Sequence, residues 1–551
     1  MTQDNKKKSY AIGIDTGGTY TDTVLISTDE KKVIATAKSS TTHHDLSHGI
    51  AQSLKHLFTE SQVHPQNVDL VAVSTTLATN AVVEDKGADV GLLVAGPTKQ
   101  FKLPVVSASY LKGGHNHLGE ETDPLDMEAL IEAVQSLKGH VDAYAVCAAM
   151  SIKNPAHELV MAKAISLIDP KPVFCSHEIS DRPGIQERAA TSVLNARLMP
   201  IMDNFLIGMQ DALVALGLAG NVFIIRGDAT PMAIADTHKQ AASTVASGPA
   251  ATAWFGINFS PSPDALIVDV GGTTTDITMI HNSKPVLDGE GSLIGEWHTQ
   301  IDAVKMFTVG AGGDSHVILS RKKNLQLGPH RVVPLAMSEL SSSPESWIGE
   351  ELSAKCVTAA TDLTEEEASA NPILAYLVSH GPATPQELKH HFDMAEITLT
   401  SHLQDLNRLQ LISESGFTPT DALHVLDQLN MGNKENAMQG AKALATKLQL
   451  TPEKFCQKVL KVISQKIEDS ILDYILKIET GKTMSGFFPH YRKSEMLDLH
   501  FTTQLPIIGI GAAAQHLLPQ IAARLGTKVI FPDHYEVGNA LGGVLMAIGN
   551  K

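Results

Sequence analysis

The chain has 551 residues, of which 43% are hydrophobic and 19% are charged, and its formal net charge is −17. This length exceeds what one hydrophobic core supports, so we expect at least two domains, and the composition excludes a disordered or fibrous chain. The acidic balance argues against duplex DNA or an anionic membrane as a partner, because clustered Lys and Arg bind such surfaces, whereas a nucleotide needs only local positive potential.

The start of the chain and its cysteines predict a cytoplasmic protein. Lys6-Lys7-Lys8 is followed by a short apolar run that Asp15 interrupts, which lacks the long apolar core and cleavage site of a signal peptide. No apolar run is long enough to span a bilayer. The four cysteines are too far apart for a Cys-x-x-Cys pair, so we expect neither a disulfide framework nor that type of metal site. They are Cys147, Cys175, Cys356 and Cys456.

Two β-hairpins with the same glycine-rich turn occur in the two halves of the chain. The segment from Tyr10 to Ile26 is divided by Asp15-Thr16-Gly17-Gly18-Thr19, and the segment from Ala265 to Ile280 by Asp269-Val270-Gly271-Gly272-Thr273. Aligning residues 13–22 with residues 267–276 matches both Asp, both Gly and two Thr. The repeat predicts two similar domains that face one another.

Strands and helices alternate between the two hairpins, and this alternation predicts an α/β architecture. Buried strands are predicted at residues 70–74, 90–94, 143–147 and 173–175, with amphipathic helices between them. A long helix rich in Ala and Leu, from Gln186 to Leu216, is expected to link the first half to the second.

A segment of different character follows the second hairpin. Helical patterns at 373–380, 385–392 and 395–409, followed by a Ser-Glu-Ser-Gly turn, resemble a winged helix-turn-helix. The chain then returns to the α/β pattern, with strands at 505–511 and 528–531 and helices at 513–525 and 538–548. We predict an N-terminal domain at 1–190, a second domain at 191–364, a small winged-helix-like insertion at 365–420 and the rest of the second domain at 421–551.

The two turns have the chemistry of phosphate binding. A triphosphate needs backbone N–H donors at close approach and a divalent cation held by carboxylates, and glycine turns leave the backbone accessible. A lone Gly-Gly-Thr turn is more often an ordinary hairpin, but two copies on facing domains favour an ATP cleft. The predicted phosphate-binding residues are Thr16, Gly17, Gly18, Thr19, Gly271, Gly272 and Thr274. The predicted catalytic residues are Asp15, Asp269, Asp276 and Thr273, with Asp15 and Asp269 as the Mg²⁺ anchors.

Two further glycine clusters are candidates for nucleotide contact. The first, with Gly310, Gly312 and Gly313, follows a strand-like run at 305–309 and precedes a helix-like segment, so that it would bind ribose or phosphate at a helix N-terminus. The second, at 509–514, ends a strand and opens a helix, which suits an adenosine platform at Gly511 and Ala512. Alternatively, the first cluster is a simple connection and the second is tight strand-helix packing.

These motifs resemble the phosphate motifs of the actin, sugar-kinase and heat-shock-chaperone superfamily, and their order is similar to one branch, the hydantoinase/oxoprolinase family. The resemblance implies two ribonuclease H-like domains around an ATP cleft, here with the small winged-helix-like insertion. It covers most of the chain outside that insertion. The residues that carry it are 15–22, 74–81, 177–180, 187–196, 247–250, 269–276 and 310–313.

The resemblance implies an ATP-dependent cyclic amide hydrolase. Such an enzyme uses ATP and Mg²⁺ to open a small cyclic amide of the hydantoin or 5-oxoproline type by phosphorylating the amide oxygen, and acetone carboxylase subunits are relatives. The protein then supplies positioning and charge neutralisation more than covalent chemistry. The implied partners are the small cyclic amide, a hydantoinase B-like subunit and a second copy of the chain.

The resemblance also places Thr75, Thr76 and Asn80 near the cleft as substrate-binding residues, together with Arg188. The alternative for Thr75 and Thr76 is helix N-capping, and the alternative for Arg188 is a structural ion pair with Glu187.

The chain departs from the family pattern at a substrate-side metal site. Lys305 and Phe307 stand where many longer relatives carry an Asp-x-His pair. His298 and Asp302 could replace that pair if they lay on a helix, but a solvated surface pair is the favoured interpretation. Asp314 also stands in the glycine cluster at a place where the family pattern has glycine and serine.

Two other classes of function remain open from the sequence. A sugar-kinase fold joined to a winged helix can be a DNA-binding repressor, but the candidate recognition helix at 395–409 carries Glu396 and Asp405 and only Arg408 as a positive charge. The other alternative is an ATPase or activase that acts on a protein partner.

Overall fold

The computed structural model describes residues 9–549 apart from residues 19, 42–45, 84, 290, 295–296, 321, 341, 350–353, 361–362 and 485–498. The strands of this part of the chain are β1 Tyr10–Thr16, β2 Tyr20–Ser27, β3 Val33–Ser40, β4 Val68–Thr75, β5 Val90–Ala95, β6 Ser107–Leu111, β7 Ala143–Ala148, β8 Val173–Cys175, β9 Asn221–Ile225, β10 Pro231–Ala233, β11 Ala265–Val270, β12 Thr275–His281, β13 Lys284–Pro285, β14 Leu293–Ile294, β15 Trp297–His298, β16 Met306–Val309, β17 Ser315–Leu319, β18 Leu325–Arg331, β19 Val333–Pro334, β20 Lys355–Ala359, β21 Ile412–Gly416, β22 Ile507–Ile510 and β23 Val529–Ile530.

The helices of the same residues include two of unusual length, α5 and α15. They are α1 Leu46–Ser61, α2 Leu77–Val83, α3 Met127–Leu137, α4 Ala156–Ile168, α5 Ile185–Ala215, α6 Ile234–Thr237, α7 Ser247–Phe259, α8 Pro344–Trp347, α9 Glu365–Ala370, α10 Pro372–His380, α11 Pro385–Phe392, α12 Glu396–Arg408, α13 Pro419–Val425, α14 Lys434–Lys447, α15 Pro452–Thr480, α16 Ala514–Arg524 and α17 Gly538–Gly549. No helix in this described part is long and apolar enough to cross a membrane.

The first sheet has the order β10-β9-β4-β1-β2-β3. Strand β1 pairs antiparallel with β2 and parallel with β4, and β4 pairs parallel with β9. Strand β1 is buried along its length from Ala11 to Thr16, as expected of a central strand covered on both faces. The predicted hairpin of residues 10–26 is therefore confirmed, and its turn lies at the end of β1.

The second sheet repeats this arrangement in the order β13-β12-β11-β22-β23, with β16 also paired to β12. Strand β11 pairs antiparallel with β12 and parallel with β22, as β1 does with β2 and β4. The predicted second hairpin and the α/β fold class are confirmed. The duplicated strand order supports the predicted pair of ribonuclease H-like domains.

Helices α7 and α17 join the two sheets through a shared apolar core. This core contains Val24 of the first sheet, Ile267 of the second sheet, Phe255 of α7 and Leu541 of α17. The packing is tight, because a Cβ added to Gly13 of β1 would lie 2.0 Å from the carbonyl oxygen of Ala540. Close contact between glycine and a neighbouring helix thus holds the two hairpin turns in a fixed relation.

A third, all-parallel sheet is inserted between β4 and the long helix α5. Its order is β6-β5-β7-β8, and helices α3, α4 and α5 pack on it. The strands predicted at 90–94, 143–147 and 173–175 are present but belong to this sheet, whereas the strand predicted at 70–74 belongs to the first sheet.

The long helix predicted from Gln186 to Leu216 is confirmed as α5. The division of the chain into four domains stays a prediction. Strands β9 and β10 belong to the first sheet, because β9 pairs with β4 and β10 pairs with β9. Strands of one sheet belong to one unit, so the boundary predicted at residue 190 should be moved beyond Ala233.

The inserted segment contains the three predicted helices as α10, α11 and α12, around a small core that includes Leu374, Leu388 and Leu403. The predicted Ser-Glu-Ser-Gly turn is wrong, because residues 412–416 form strand β21, which pairs with β20. The unit therefore includes β20, which precedes the predicted boundary at residue 365. Its resemblance to a winged helix stays a prediction.

The segment after the first extra glycine cluster is also not the expected helix. Residues 315–319 form strand β17, paired with β18, because Val317 and Leu319 alternate into the core of the second half. The elements predicted at the C-terminal end are confirmed as β22, α16, β23 and α17.

Candidate functional site

The two glycine turns adopt equivalent hydrogen-bonding patterns. The N–H of Gly17 donates to the carbonyl of Tyr20 at 3.0 Å, and the N–H of Gly271 donates to the carbonyl of Thr274 at 2.9 Å. A Cβ added at Gly18 would meet nothing closer than Asn80 Nδ2 at 4.0 Å. The first turn thus leaves room for a ligand beside the backbone, as phosphate loops require, whereas a Cβ added at Gly272 of the second turn would lie 2.7 Å from Asp314 Oδ2. The predicted ligand Thr19 lies outside the described residues.

Each hairpin places a pair of aspartates opposite one another. Asp15 lies across from Asp22 on β2, and Asp269 lies across from Asp276 on β12. Asp22 also forms an ion pair with Lys38 at 3.0 Å. The repeat therefore builds four carboxylates at the ends of two hairpins.

Asp15 and Asp269 lie close together and share a neighbour. The Asn539 amide donates to Asp269 Oδ2 at 2.9 Å and also hydrogen-bonds Asp15, and the charge of Asp269 raises the pKa of Asp15. Asn539 is fixed in turn by Thr252, whose hydroxyl donates to its carbonyl oxygen at 2.6 Å. The two predicted Mg²⁺ anchors, which are 254 residues apart in sequence by their numbering, are thus neighbours.

Burial makes these carboxylates hard to ionise. Burial raises the pKa of Asp15 to about 7, and the charges of Asp22 and Asp269 contribute to this increase. The Ser74 hydroxyl, which donates to Asp15 Oδ1 at 2.6 Å, lowers the pKa and so opposes the increase. Burial also raises the pKa of Asp276 to about 6 and raises the pKa values of Asp22 and Asp269. A divalent cation between them would favour the charged forms.

The residues present fit a magnesium ion. Carboxylate oxygens are the ligands that Mg²⁺ prefers, and within the described part of the chain Asp276 Oδ1 is buried without a hydrogen-bond partner. Asp15 and Asp269 would hold the ion, directly or through water.

The two extra glycine clusters pack directly against the second turn. The N–H groups of Gly313 and Asp314 donate to the carbonyls of Gly271 and Gly272 at 3.0 and 2.8 Å. A Cβ added to Gly312 would lie 2.4 Å from the carbonyl oxygen of Gly272. The helix predicted after the cluster at 310–313 is wrong, because strand β17 follows it. The cluster packs against the second turn, and its contact with a nucleotide stays a prediction.

The cluster at 509–514 ends strand β22 and precedes α16, as predicted. Gly511 has φ +87°, and a Cβ there would lie 2.4 Å from the carbonyl oxygen of Val270 and 2.9 Å from Asp269 Oδ1. Glycine is thus required for the approach of this strand end to the second turn. Gly511 thus lies beside Asp269, and Ala512 adjoins it in sequence.

Several residues near the second turn were not predicted as site residues. Asp314 pairs with Arg331 at 3.2 Å, and the ammonium of Lys466 on α15 donates to the carbonyl of Gly310 at 2.7 Å. Burial lowers the pKa of Lys466. Spacing gives no signal for Lys466 or Asn539, whereas Asp22 could have been found as the repeat partner of Asp276.

Thr76 hydrogen-bonds to the residue before the first turn, and Asn80 hydrogen-bonds to Thr76. The N–H and hydroxyl of Thr76 donate to the carbonyl of Thr16 at 3.0 and 3.2 Å, and Asn80 Nδ2 donates to the Thr76 hydroxyl at 3.3 Å. Thr75 is buried, and its hydroxyl accepts from the N–H of Leu77 at 3.1 Å at the start of α2. This is the capping arrangement that was the alternative for Thr75.

Arg188 is buried away from both turns. Its guanidinium donates to the carbonyl of Ala148 at 2.7 Å and to the Ser176 hydroxyl at 3.0 Å, and it lies 3.9 Å from Glu158. The structural interpretation of Arg188 is favoured, but its ion-pair partner is Glu158 and not the expected Glu187. Glu158 was missed because it lies on α4, 30 residues before Arg188 by their numbering.

Glu158, Cys175 and His177 have the spacing of a small metal site. Glu158 nevertheless already accepts hydrogen bonds, from His177 Nδ1 at 2.6 Å and from the N–H of Ala148 at 2.8 Å. Burial raises the pKa of the Cys175 thiol to about 12, which opposes the thiolate that a metal needs. The group is better described as an internal polar network.

The departures from the family pattern have structural explanations. Lys305 forms an ion pair with Asp288 at 3.8 Å, and Phe307 packs against the core. Neither His298 nor Asp302 lies on a helix, so the alternative metal pair is wrong; His298 is exposed in β15, and Asp302 pairs with Arg182 at 2.5 Å.

Comparison with known proteins agrees with the resemblance seen in the motifs. A family model described as the hydantoinase/oxoprolinase N-terminal region matches residues 11–168, and one described as hydantoinase/oxoprolinase matches residues 188–548.

Two curated relatives are subunits of larger enzymes. The chain is 27% identical over 360 residues to the caprolactamase subunit alpha of Pseudomonas jessenii, covering 59% of this chain and 51% of the relative. It is 28% identical over 379 residues to the acetophenone carboxylase gamma subunit of Aromatoleum aromaticum strain DSM 19018 / LMG 30748 / EbN1, covering 59% and 50%. The chain thus spans about half the length of the curated relatives it matches.

Two solved structures share the fold. The nucleotide-free structure of an acetone carboxylase has a TM-score of 0.68 at 17% identity, covering 98% of this chain and 70% of that one. The ATP-dependent caprolactamase of Pseudomonas jessenii has a TM-score of 0.62 at 21% identity, covering 97% and 70%.

Proposed function

Because the chain belongs to the hydantoinase/oxoprolinase family, we propose that it uses ATP and Mg²⁺ to open a small cyclic amide. The observation that carries the proposal is the pair of equivalent glycine turns whose aspartates, Asp15 and Asp269, lie close enough that the charge of Asp269 raises the pKa of Asp15. Bound Mg·ATP would supply the phosphoryl group and the charge that neutralises it.

The reaction is consistent with what the site can do. An amide carbonyl is a poor electrophile, and phosphoryl transfer to its oxygen with release of ADP activates the carbon. Attack by one water then allows the C–N bond to break as the nitrogen gains a proton, and a second water releases phosphate from the resulting acyl phosphate. The chain's part is to position the reactants and to hold charge.

Individual residues have distinct proposed roles. Asp15 and Asp269 anchor the cation, and the backbone of the two turns, together with Thr16, Thr273 and Thr274, holds phosphate. Asp276 orients the cation's water shell, while Gly511 and Ala512 form the wall for adenosine. Thr76 and Asn80 support the first turn next to the substrate.

The relatives suggest a second subunit and a second candidate reaction. Both curated relatives are named as subunits, so we propose that full activity requires a hydantoinase B-like partner. One relative is a carboxylase, which makes ATP-dependent carboxylation of a small ketone the second candidate. Location in the cytoplasm and self-association as a dimer stay predictions.

The test is ATP turnover by the full chain, with and without a hydantoinase B-like subunit, in the presence of 5-oxoproline, hydantoin or small ketones. We expect a cyclic amide to raise turnover and Asp269→Ala to abolish it while the circular dichroism spectrum is unchanged. Asp264→Ala is the matched control, because Asp264 immediately precedes β11, at the end of the strand opposite to Asp269, and pairs with His281. Turnover that Asp269→Ala leaves intact would refute the cation assignment, and stimulation by ketones alone would favour the carboxylase.

A further inference from the structure

The two glycine turns differ in what lies beside their second glycine. A Cβ added at Gly18 of the first turn would meet nothing closer than Asn80 Nδ2 at 4.0 Å. A Cβ added at Gly272 of the second turn would lie 2.7 Å from Asp314 Oδ2 and 3.2 Å from the carboxyl carbon of Asp314. Phosphate loops use the space that a missing side chain leaves for the approach of the anion. At the second turn this space contains a carboxylate.

Arg331, the last residue of β18, pairs with this carboxylate. Its Nε donates to Asp314 Oδ2 at 3.2 Å, and its Nη2 lies 3.2 Å from the same oxygen. A Cβ added at Gly272 would lie 3.7 Å from Arg331 Nε, and 32% of the Arg331 side chain is exposed. The guanidinium is therefore within reach of an anion bound on the second turn.

The side chain of Asp314 is held loosely, although its backbone is fixed. Both contacts with Arg331 converge on one oxygen, and they are longer than the roughly 2.7–2.9 Å that is usual for charged donors and acceptors. The Thr420 hydroxyl lies 3.3 Å from Asp314 Oδ1, but its single proton also has the carbonyl of Gly313 at 2.8 Å. Rotation about the side-chain bonds of Asp314 would release Arg331 and leave the bond from the Asp314 N–H to the Gly272 carbonyl intact.

A phosphate group is a better partner for Arg331 than Asp314 is. It carries more negative charge, and two of its oxygens can accept from the two nitrogens that share one carboxylate oxygen in this pair. Asp314 repels a phosphate that approaches the same turn, because like charges at short range oppose one another. The carboxylate and the guanidinium should therefore affect nucleotide binding in opposite directions.

We propose that Arg331 binds a phosphate group of the nucleotide, and that Asp314 competes with this phosphate for Arg331 and for the space beside Gly272. The inference rests on the proposed function, in which the second turn holds phosphate. Loss of the carboxylate then tightens nucleotide binding, and loss of the guanidinium weakens it. An ion pair with only a structural role would give losses in both cases.

The test is calorimetric titration of the full chain with Mg·ADP and with the magnesium complex of a non-hydrolysable ATP analogue. We expect Asp314→Asn to lower the Kd at least about tenfold, and Asp314→Ala, which also removes bulk beside Gly272, to lower it at least as much. Arg331→Gln should raise the Kd at least about tenfold, and Arg331→Lys, which keeps the charge but not the planar donors, should raise it less. Circular dichroism checks that each variant is folded.

The controls are Glu468→Gln and Arg524→Gln. These residues form another carboxylate–arginine pair of the second half. Arg524 ends α16, about 15 Å along the helix from the end next to Gly511, so both variants should leave the Kd unchanged.

A double variant separates binding of phosphate by Arg331 from simple neutralisation of Asp314. If Arg331 contacts phosphate, adding Arg331→Gln to Asp314→Asn still raises the Kd at least about tenfold over that of Asp314→Asn. If Arg331 serves only to neutralise Asp314, the second substitution changes nothing once the carboxylate is gone, and the inference is overturned.

Each outcome decides the inference separately from the proposed function. Unchanged or weaker nucleotide binding by Asp314→Asn, or unchanged binding by Arg331→Gln, overturns the inference, and a cyclic amide that still raises ATP turnover leaves the proposed function standing. If the variants behave as described but no cyclic amide raises turnover with the second subunit present, the inference stands and the opening of a cyclic amide fails. Absence of nucleotide binding in the wild type and in every variant overturns both.

Discussion

Replacing Asp15 by Asn should stabilise the protein while abolishing its response to Mg·ATP. Burial raises the pKa of Asp15 from 3.8 to about 7, so the folded state prefers the protonated carboxyl. As pH rises above 3.8, the unfolded chain ionises and the folded chain does not, and stability is lost until the pH passes the folded value. Asn has the same shape, carries no charge, and can accept the Ser74 hydrogen bond through its carbonyl oxygen.

The size of the effect follows from the two pKa values. At about 1.36 kcal/mol per pH unit, the carboxylate costs about 4 kcal/mol at pH 8 and about 2 kcal/mol at pH 5. With about 2.1 cal/mol/K of unfolding entropy per residue, the whole chain unfolding as one unit gives a rise in Tm of about 3–4 °C at pH 8 and about 1–2 °C at pH 5.

The assay is thermal unfolding of wild type and Asp15→Asn at pH 5 and pH 8, with and without Mg·ATP. Mg·ATP should raise the Tm of the wild type, because a ligand that binds the folded state stabilises it, and should not raise that of the variant. Asp264→Asn is the control and should show no gain that grows with pH. A Tm gain for Asp15→Asn that is equal at both pH values, or a loss at both, would refute the account of a desolvated carboxylate.

Three further predictions concern the surroundings of the cleft and the inserted sheet. Gly511→Ala should weaken nucleotide binding by at least about tenfold in a calorimetric titration, because the added Cβ would press on the Val270 carbonyl. The control is Gly139→Ala, which has φ +79° and open space around it and should leave nucleotide binding unchanged. Equal effects of the two variants would show that backbone strain alone is responsible. Glu158→Gln should cost about 3–5 kcal/mol in urea unfolding because it leaves buried donors unpaired. Burial opposes ionisation of Glu158, but its hydrogen bonds together lower its pKa, so the stability it contributes is lost as pH falls through the folded value. The bond to Glu158 raises the pKa of His177, so the stability that His177 contributes is lost as pH rises through its folded value. The cost of Glu158→Gln should therefore be largest between pH 4.5 and 6.5, and a pH-independent cost would contradict this pairing. Burial raises the thiol pKa to about 12 at Cys147, Cys175 and Cys356. At pH 8 the native protein should therefore react with iodoacetamide at least about a hundredfold more slowly than the protein in urea. Rapid labelling of the native chain would show that these thiols are accessible.

The inserted sheet shows where pattern reasoning reached its limit in the first half. The apolar runs at 90–94 and 143–147 predicted buried strands correctly, but a run of apolar residues does not state which sheet a strand joins. Arg188 was assigned to the substrate because of its place in a motif. In the structure Arg188 contacts Glu158 and Ser176, which come from other elements, so Arg188 belongs to the buried polar network beside the inserted sheet.

The C-terminal half shows the same division. Asn539 donates to Asp269 from a helix at the far end of the chain, and no spacing could have linked them. The glycines at 310–313 were correctly marked as special, but for the wrong reason: they allow backbone approach to the second turn instead of opening a helix.

The sequence by itself determined the two glycine hairpins, the long helix α5 and the strand-helix pair at 507–524, because turns, periodicity and apolar runs act over a few neighbouring residues. It also determined the family, because the order of the motifs is a property of the chain. Only the tertiary structure decided that Asp15 and Asp269 are neighbours, that Arg188 is internal, and that Asp314 and Arg331 pair beside the second turn. Those relations depend on packing between elements far apart in the chain, where close contact and burial set both geometry and charge state.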